Sequence, residues 1–265
     1  MKIKEIVSAL ERFAPLPLQD GFDNAGLQIG LTEAEATGAL LCLDVTEAVL
    51  DEAIALGYNL VISHHPLIFK GYKSITGKDY VERCILKAIK NDIVIYSAHT
   101  NLDNAYGGVN YKIAEKIGLK NLQVLEPKEN SLQDDLTQVG AGIVGELDEL
   151  ETELEFLKRI KKTFEVGCVR HNRLTGREIQ KVALCGGAGA FLLPQAIRAG
   201  ADVFITGEIK YHDYFGHEGD ILMAEIGHYE SEQYTKEIFY SIIRDLFPNF
   251  ALQSSKINTN PIKYL

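Results

Sequence analysis

The sequence predicts an α/β protein of two related lobes, with mixed sheets covered by helices. Three observations carry this. Short apolar, β-favouring runs alternate with helix-like stretches along most of the chain. One β-α-β segment of the first half recurs with the same spacing in the second. Three of the apolar runs lead into clusters of histidine and acid, and strand ends are where α/β proteins place their chemistry.

Apolar residues at Ile3, Ile6, Val7, Leu10 and Phe13 have helical spacing, and Pro15 and Pro17 end that helix. A polar loop, Asp23-Asn24-Ala25-Gly26, leads into a short strand near Leu27–Gly30. Ala39–Leu43 reads as a buried strand, Thr46 as the cap of a helix through Leu56, and Gly57 as its terminator. Asn59–Ser63 and Ile93–Ser97 are the next strands, with a helix near Asp79–Asn91 between them. Gly107-Gly108 opens a helix that runs to Gly118. Residues 126–180 differ in being richer in charge and turn residues. They read as a connecting subdomain with one helix near 150–162, its acids (Asp148, Glu149, Glu151, Glu153, Glu155) on solvated surface. Alternation resumes with strands at 181–185, 202–206 and 221–225 and helices at about 189–199 and 229–246. The expected divisions are therefore a first lobe at 1–125, a connecting subdomain at 126–180 and a second lobe at 181–265.

The repeat matches Leu41-Cys42, Ala53-Ile54, Gly57 and Val61-Ile62-Ser63 with Leu184-Cys185, Ala196-Ile197, Gly200 and Phe204-Ile205-Thr206. His64 and His65 then fall opposite Gly207 and Glu208. Further on, His99-x-x-x-Asp103 has a counterpart in His228-x-x-x-Glu232.

With 46% apolar residues, 24% charged residues and a formal charge of −10, the composition is globular and lacks a basic footprint for nucleic acid. A small anionic partner remains compatible, because bound divalent metals reverse the local field. Cys42, Cys84, Cys168 and Cys185 form no CxxC and read as free thiols, which fits a cytoplasmic location. The charged, amphipathic N-terminus is unlike a signal peptide, and no apolar run approaches the roughly 20 residues that span a bilayer.

His64, His65, Asp103, His228 and Glu232 are residue types that ligate divalent metals. Adjacent side chains in an extended chain diverge, so His64 and His65 suit two ions better than one. His228 and Glu232 lie one helical turn apart on one face and can grip an ion jointly. Such sets suit Zn, Fe, Mn or Ni, and a divalent ion that lowers the pKa of its water toward about 7 suits hydrolysis. His99 reads either as an extra ligand or as a catalytic base or donor beside the metals. Glu208 and His212 are candidates to support the ligands, whereas His171 and His217 read as surface residues. Gly186-Gly187-Ala188-Gly189 lies between a strand and a helix but satisfies neither GxGxxG nor a P-loop, and reads as a tight turn.

Asp23-Asn24-x-Gly26-Leu27-Gln28, Ser63-His64-His65-Pro66-Leu67-Ile68-Phe69, Ser97-Ala98-His99-Thr100-Asn101-Leu102-Asp103 and Gly227-His228-Tyr229-x-Ser231-Glu232 resemble the GTP cyclohydrolase 1 type 2 homologue family, also called Nif-three-like. The resemblance runs nearly end to end. It implies two intertwined lobes and a dinuclear metal site with His64, His65, Asp103, His228 and Glu232 as ligands. It also implies a toroidal homohexamer with the metal sites facing its inner cavity. The implied activity is hydrolysis of a nucleotide such as GTP, opening the guanine ring with release of formate. A phosphoesterase is a second enzyme reading. A metal-binding or regulatory interaction protein without turnover is the third.

Overall fold

The computed structural model describes residues 1–128 and 139–265. Residues 129–138 of the expected connecting subdomain lie outside the described residues. In chain order the elements are α1 (Ile3–Phe13), β1 (Gly26–Ile29), β2 (Ala39–Cys42), α2 (Glu47–Leu56), β3 (Leu60–Ser63), α3 (Tyr80–Lys90), β4 (Val94–Ser97) and α4 (Thr100–Asp103). Then come α5 (Val109–Ile117), β5 (Lys120–Pro127), β6 (Gly140–Thr152), α6 (Glu153–Thr163), β7 (Arg170–His171), β8 (Glu178–Cys185) and α7 (Leu193–Arg198). The last are β9 (Val203–Thr206), β10 (Leu222–Glu225), α8 (His228–Glu232), α9 (Thr235–Leu246) and β11 (Leu252–Ser254).

The chain forms two compact units, Met1–Ala105 with Thr235–Pro261, and Tyr106–Tyr234 with Ile262–Leu265. These limits differ from the expected divisions at 125 and 180, and strand pairing is the reason. The expected connecting segment supplies β6, which pairs with β5 on one side and β8 on the other, so 106–180 folds together with β8 and the strands beyond it. Beyond Tyr234 the chain returns to the first unit, where β11 lies parallel to β2.

The first unit holds a sheet of order β1-β4-β3-β2-β11. All pairs are parallel except β1 with β4. β2, β3 and β4 are buried at every position, as strands covered on both faces must be. Val49, Leu50 and Ala53 of α2 and Val81, Cys84, Ile85 and Ala88 of α3 close one core with Leu40, Val61 and Ile95. Thr46 and Asp79 cap α2 and α3 by accepting from Val49 N and Glu82 N. α1 packs on α9, which rests on β2 and β11.

The second unit holds the order β5-β6-β8-β9-β10-β7, with β8, β9 and β10 parallel and the other pairs antiparallel. Its core includes Val144, Ala183, Leu192, Ala196, Phe204 and Met223. Among the described residues no helix is long and apolar enough to cross a membrane.

The repeat is real in register. Leu40 pairs with Val61 and Cys42 with Ser63; their copies Ala183 and Cys185 pair with Phe204 and Thr206. Gly57 and Gly200 both turn the chain at φ 69°. The third strand breaks the symmetry by one residue. Ser97 pairs with Ser63 as Glu225 pairs with Thr206, so His99 lies two residues past that pair and His228 three. The two His-x-x-x-acid stretches are therefore not strict copies.

Three of the acids expected on solvated surface have structural work. Glu151 pairs with Arg159 at 2.7 Å. Glu155 completes a capping box with Thr152 at the start of α6. Glu153 is buried and accepts from Thr175 N at 2.7 Å, Thr175 Oγ1 at 2.9 Å and Gly176 N at 3.0 Å. Replacing it with alanine strands two backbone donors, so Glu153→Ala is expected to cost about 2 kcal/mol and lower Tm by about 6 °C. A thermal melt within 1 °C of wild type, on the order of measurement error, would return Glu153 to the solvated surface.

Candidate metal centre

In the first unit the chemistry sits where β3 and β4 end. The Ser63 and Ser97 hydroxyls bond to each other at 2.8 Å and tie the two ends together. The backbone of His64 and His65 extends the ladder, donating to Cys42 O at 3.3 Å and Leu43 O at 3.0 Å. The ring of His64 is fully buried, and its Nδ1 donates to Ala98 O at 2.9 Å. A carbonyl can only accept, so Nδ1 carries a proton, and in a neutral ring the lone pair is then on Nε2. That Nε2 lies 3.6 Å from Asp103 Oδ1. His65 Nδ1 donates to Asp44 Oδ1 at 2.7 Å, while Asp44 Oδ2 accepts from Thr259 Oγ1 at 2.6 Å. Ligand atoms of His64, His65 and His99 all lie within 4.8 Å of one another.

His99 has a different partner from the other residues of its motif. Its Nδ1 donates to Asp23 Oδ1 at 2.8 Å, and Asp23 Oδ2 accepts from Thr100 N at 3.0 Å and Thr100 Oγ1 at 2.5 Å. Burial pushes the Asp23 carboxyl up, but the His99 and Thr100 hydrogen bonds outweigh it and hold the group at about 2, below its ordinary 3.8. Burial likewise raises Asp44, and the bonds from His65 and Thr259 bring it below the usual carboxylate range. Both acids are thus carboxylates at neutral pH.

The second unit builds a smaller set. His228 opens α8, with Nε2 at 3.0 Å from Glu232 Oε2 and Nδ1 at 2.8 Å from Glu208 Oε1. Glu232 is buried, and the glycine turn after β8 makes room for it. A Cβ on Gly187, which has φ +59°, would stand 2.3 Å from Glu232 Oε1. A Cβ on Gly207, the counterpart of His64, would meet Gly187 O at 2.6 Å and His228 Cα at 2.9 Å. The second copy therefore carries glycine where the first carries a ligand-type histidine. The turn holds no open phosphate cradle. The amides of Gly186, Gly187 and Gly189 already donate to Asn110 Oδ1, Ser231 Oγ and Thr206 Oγ1.

The first unit thus brings together His64, His65, Asp103 and His99, and the second brings together His228, Glu232 and Glu208. Each set is made of donors that can hold a divalent ion. His212 instead meets the Tyr211 ring edge to face and lies tilted against Phe215. Sequence reasoning missed Asp44 as the anchor of His65; its only signal was an acid just past the end of β2.

The family model for Duf34/NIF3 (NGG1p interacting factor 3) matches residues 1–261. The chain belongs to the Duf34/NIF3 family. A Clostridium perfringens protein named GTP cyclohydrolase 1 type 2 homolog is 38% identical over 235 residues, covering 88% of this chain and 87% of the relative. The solved structure of a Staphylococcus aureus hypothetical protein superposes with TM-score 0.90 at 32% identity, covering 100% of this chain and 99% of the other. That of a Bacillus cereus protein related to NIF3 does so with TM-score 0.89 at 27% identity, over 100% and 99%.

The Asp23 anchor makes stability depend on pH. Its folded pKa lies below its unfolded one, so its contribution is complete above about pH 4 and is lost as pH falls through about 2. Asp23→Asn is expected to be less stable than wild type by about 2 kcal/mol at pH 7, with the gap closing between about pH 4 and 2. Chemical denaturation across that range reads it, and a gap independent of pH would contradict the anchor.

Proposed function

We propose that this chain is a metal-dependent hydrolase of a nucleotide-like anionic substrate. In this reading it holds two divalent ions with His64, His65, Asp103, His228 and Glu232 as ligands. One observation carries it. Three histidines have Nδ1 committed to an oxygen, Ala98 O for His64, Asp44 for His65 and Glu208 for His228. That arrangement fixes each ring, and in the neutral tautomers of His64 and His65 it leaves the Nε2 lone pair for a cation, while His228 Nε2 faces Glu232. The carboxylates Asp103 and Glu232 beside two of those Nε2 atoms complete a set suited to Zn, Fe, Mn or Ni. The relatives' name, GTP cyclohydrolase 1 type 2 homolog, supports a purine nucleotide as the substrate to try first.

When bound, the ions would supply Lewis acidity and an acidified water. The remaining roles fall to protein groups. Asp23 fixes the proton of His99 on Nδ1, so His99 Nε2 is the atom that accepts a proton from the reacting water and returns it to the leaving group. Asp44 and Glu208 keep His65 and His228 from rotating. Asp44→Ala is therefore expected to weaken zinc binding roughly 10- to 100-fold, read by competition with a chromogenic chelator.

Product analysis tests the reaction. Protein loaded with each metal in turn is incubated with GTP, and formate and phosphate are assayed together. Formate is the expected product; phosphate would shift the assignment to a phosphoesterase. His99→Ala is expected to lower kcat by about 10²- to 10⁴-fold with metal content unchanged, whereas Asp103→Ala loses metal. No turnover of GTP or a phosphoester panel by fully loaded protein would defeat the hydrolase reading. Loss of metal in His99→Ala would make His99 a ligand instead.

A further inference from the structure

The second unit carries a cavity of about 590 Å³ that no part of the proposed mechanism uses. One wall is the segment Val169–Arg173 around β7, and the other is the turn holding Tyr211, Tyr214, Phe215 and Glu218. Two of its aromatic rings stand largely in water, Tyr211 at 68% exposure and Phe215 at 57%. Their centroids lie 5.3 Å apart with ring planes at 67°, an edge-to-face pair in which one ring supports the exposed face of the other.

The cationic wall is built as firmly. Arg170 Nη1 donates to Glu225 Oε1 at 2.8 Å, and the guanidinium carbon lies 5.7 Å from the Tyr214 ring centroid. The Tyr214 hydroxyl and Ile209 N both donate to Glu225 Oε2 at 3.1 Å, which locks that carboxylate in place. Glu218 is turned back on its own loop, accepting from Gly216 N at 3.1 Å. Arg173 has no ion pair or hydrogen bond among the described residues. His171 adds an exposed imidazole.

Glu225 balances Arg170, so Arg173 is the guanidinium of the cavity lining left to take an anionic group. An exposed aromatic face and a guanidinium in one cavity lining suit a flat ring that carries an anionic group. The volume lies in the range of small-molecule sites. We propose that this cavity binds a nucleoside monophosphate, with the base stacked on the Tyr211 face and the phosphate on Arg173. The site is separate from the metal centre, and its occupancy does not rest on the hydrolase reading.

Calorimetric titration of the full chain after chelator treatment tests it, with GMP and AMP as probes and guanosine and ribose 5-phosphate as arms that lack one half of the ligand. A nucleoside monophosphate is expected to bind the chelated protein and the His64→Ala variant alike. Arg173→Gln and Tyr211→Ala are each expected to weaken it by about tenfold or more, with unchanged circular dichroism. Both arms are expected to bind at least about tenfold more weakly. Binding that vanishes on chelation or in His64→Ala but persists in Arg173→Gln would place the nucleotide at the metal centre and overturn the proposal. Ribose 5-phosphate binding as tightly as GMP would overturn the stacking platform, and absence of binding to chelated protein would overturn the site.

Discussion

A neutral imidazole has one lone pair, and the group that accepts from its other nitrogen decides where that pair points. At four histidines of the candidate site an oxygen holds Nδ1. Ala98 O holds His64, Asp44 holds His65, Asp23 holds His99 and Glu208 holds His228. Each acceptor follows a strand or sits in a loop fixed by a neighbouring element. The parallel ladders that place those strand ends therefore also set the tautomers. A slip of one residue in β3 against β4 would turn every side chain of β3 to the other face, and would separate His64 from both Ala98 and Asp103.

The duplicated β-α-β unit shows how one backbone device serves two ends. Register, helix terminator and strand burial are shared between β2-α2-β3 and β8-α7-β9. The side chains past the strands are not. The first copy spends those positions on His64 and His65. The second has glycine at 207, because α8 packs there, and uses Glu208 to hold a histidine that arrives from β10. The single-residue offset after β10 lets His228 open α8, one turn before Glu232. His99, by contrast, precedes α4 and turns to Asp23, leaving Asp103 to His64. Similar sequence spacing thus yields two different arrangements, a histidine-acid pair in one unit and a separately anchored histidine in the other.

The fold class was legible because its strongest signals are local. The fully buried strands at 39–42, 60–63 and 94–97 are continuous apolar runs, and Thr46, Gly57 and Asp79 are helix caps of ordinary type. β6 was hidden by its glycines and acids: Gly142 sits where a Cβ would come within 2.6 Å of Leu192, and Asp148, Glu149 and Glu151 read as surface charge. The expected helix 229–246 is two helices, since the chain leaves one unit and enters the other between α8 and α9. At the site, strand-end position identified the histidines and acids by type. Their partners were not legible, because Asp44 lies 21 residues from His65 and Asp23 lies 76 from His99, and only pairing of distant strands brings them together.

Anchored histidines and adjacent carboxylates that together form a two-metal centre are the core of this reading. Anomalous diffraction from crystals of protein purified without chelator, collected on both sides of the absorption edge of each bound metal, tests it most directly. Two peaks ligated by His64, His65, Asp103, His228 and Glu232 are expected, with His99 outside bonding distance. No peak at those residues, or one ion held by His64, His65 and His99, would contradict it.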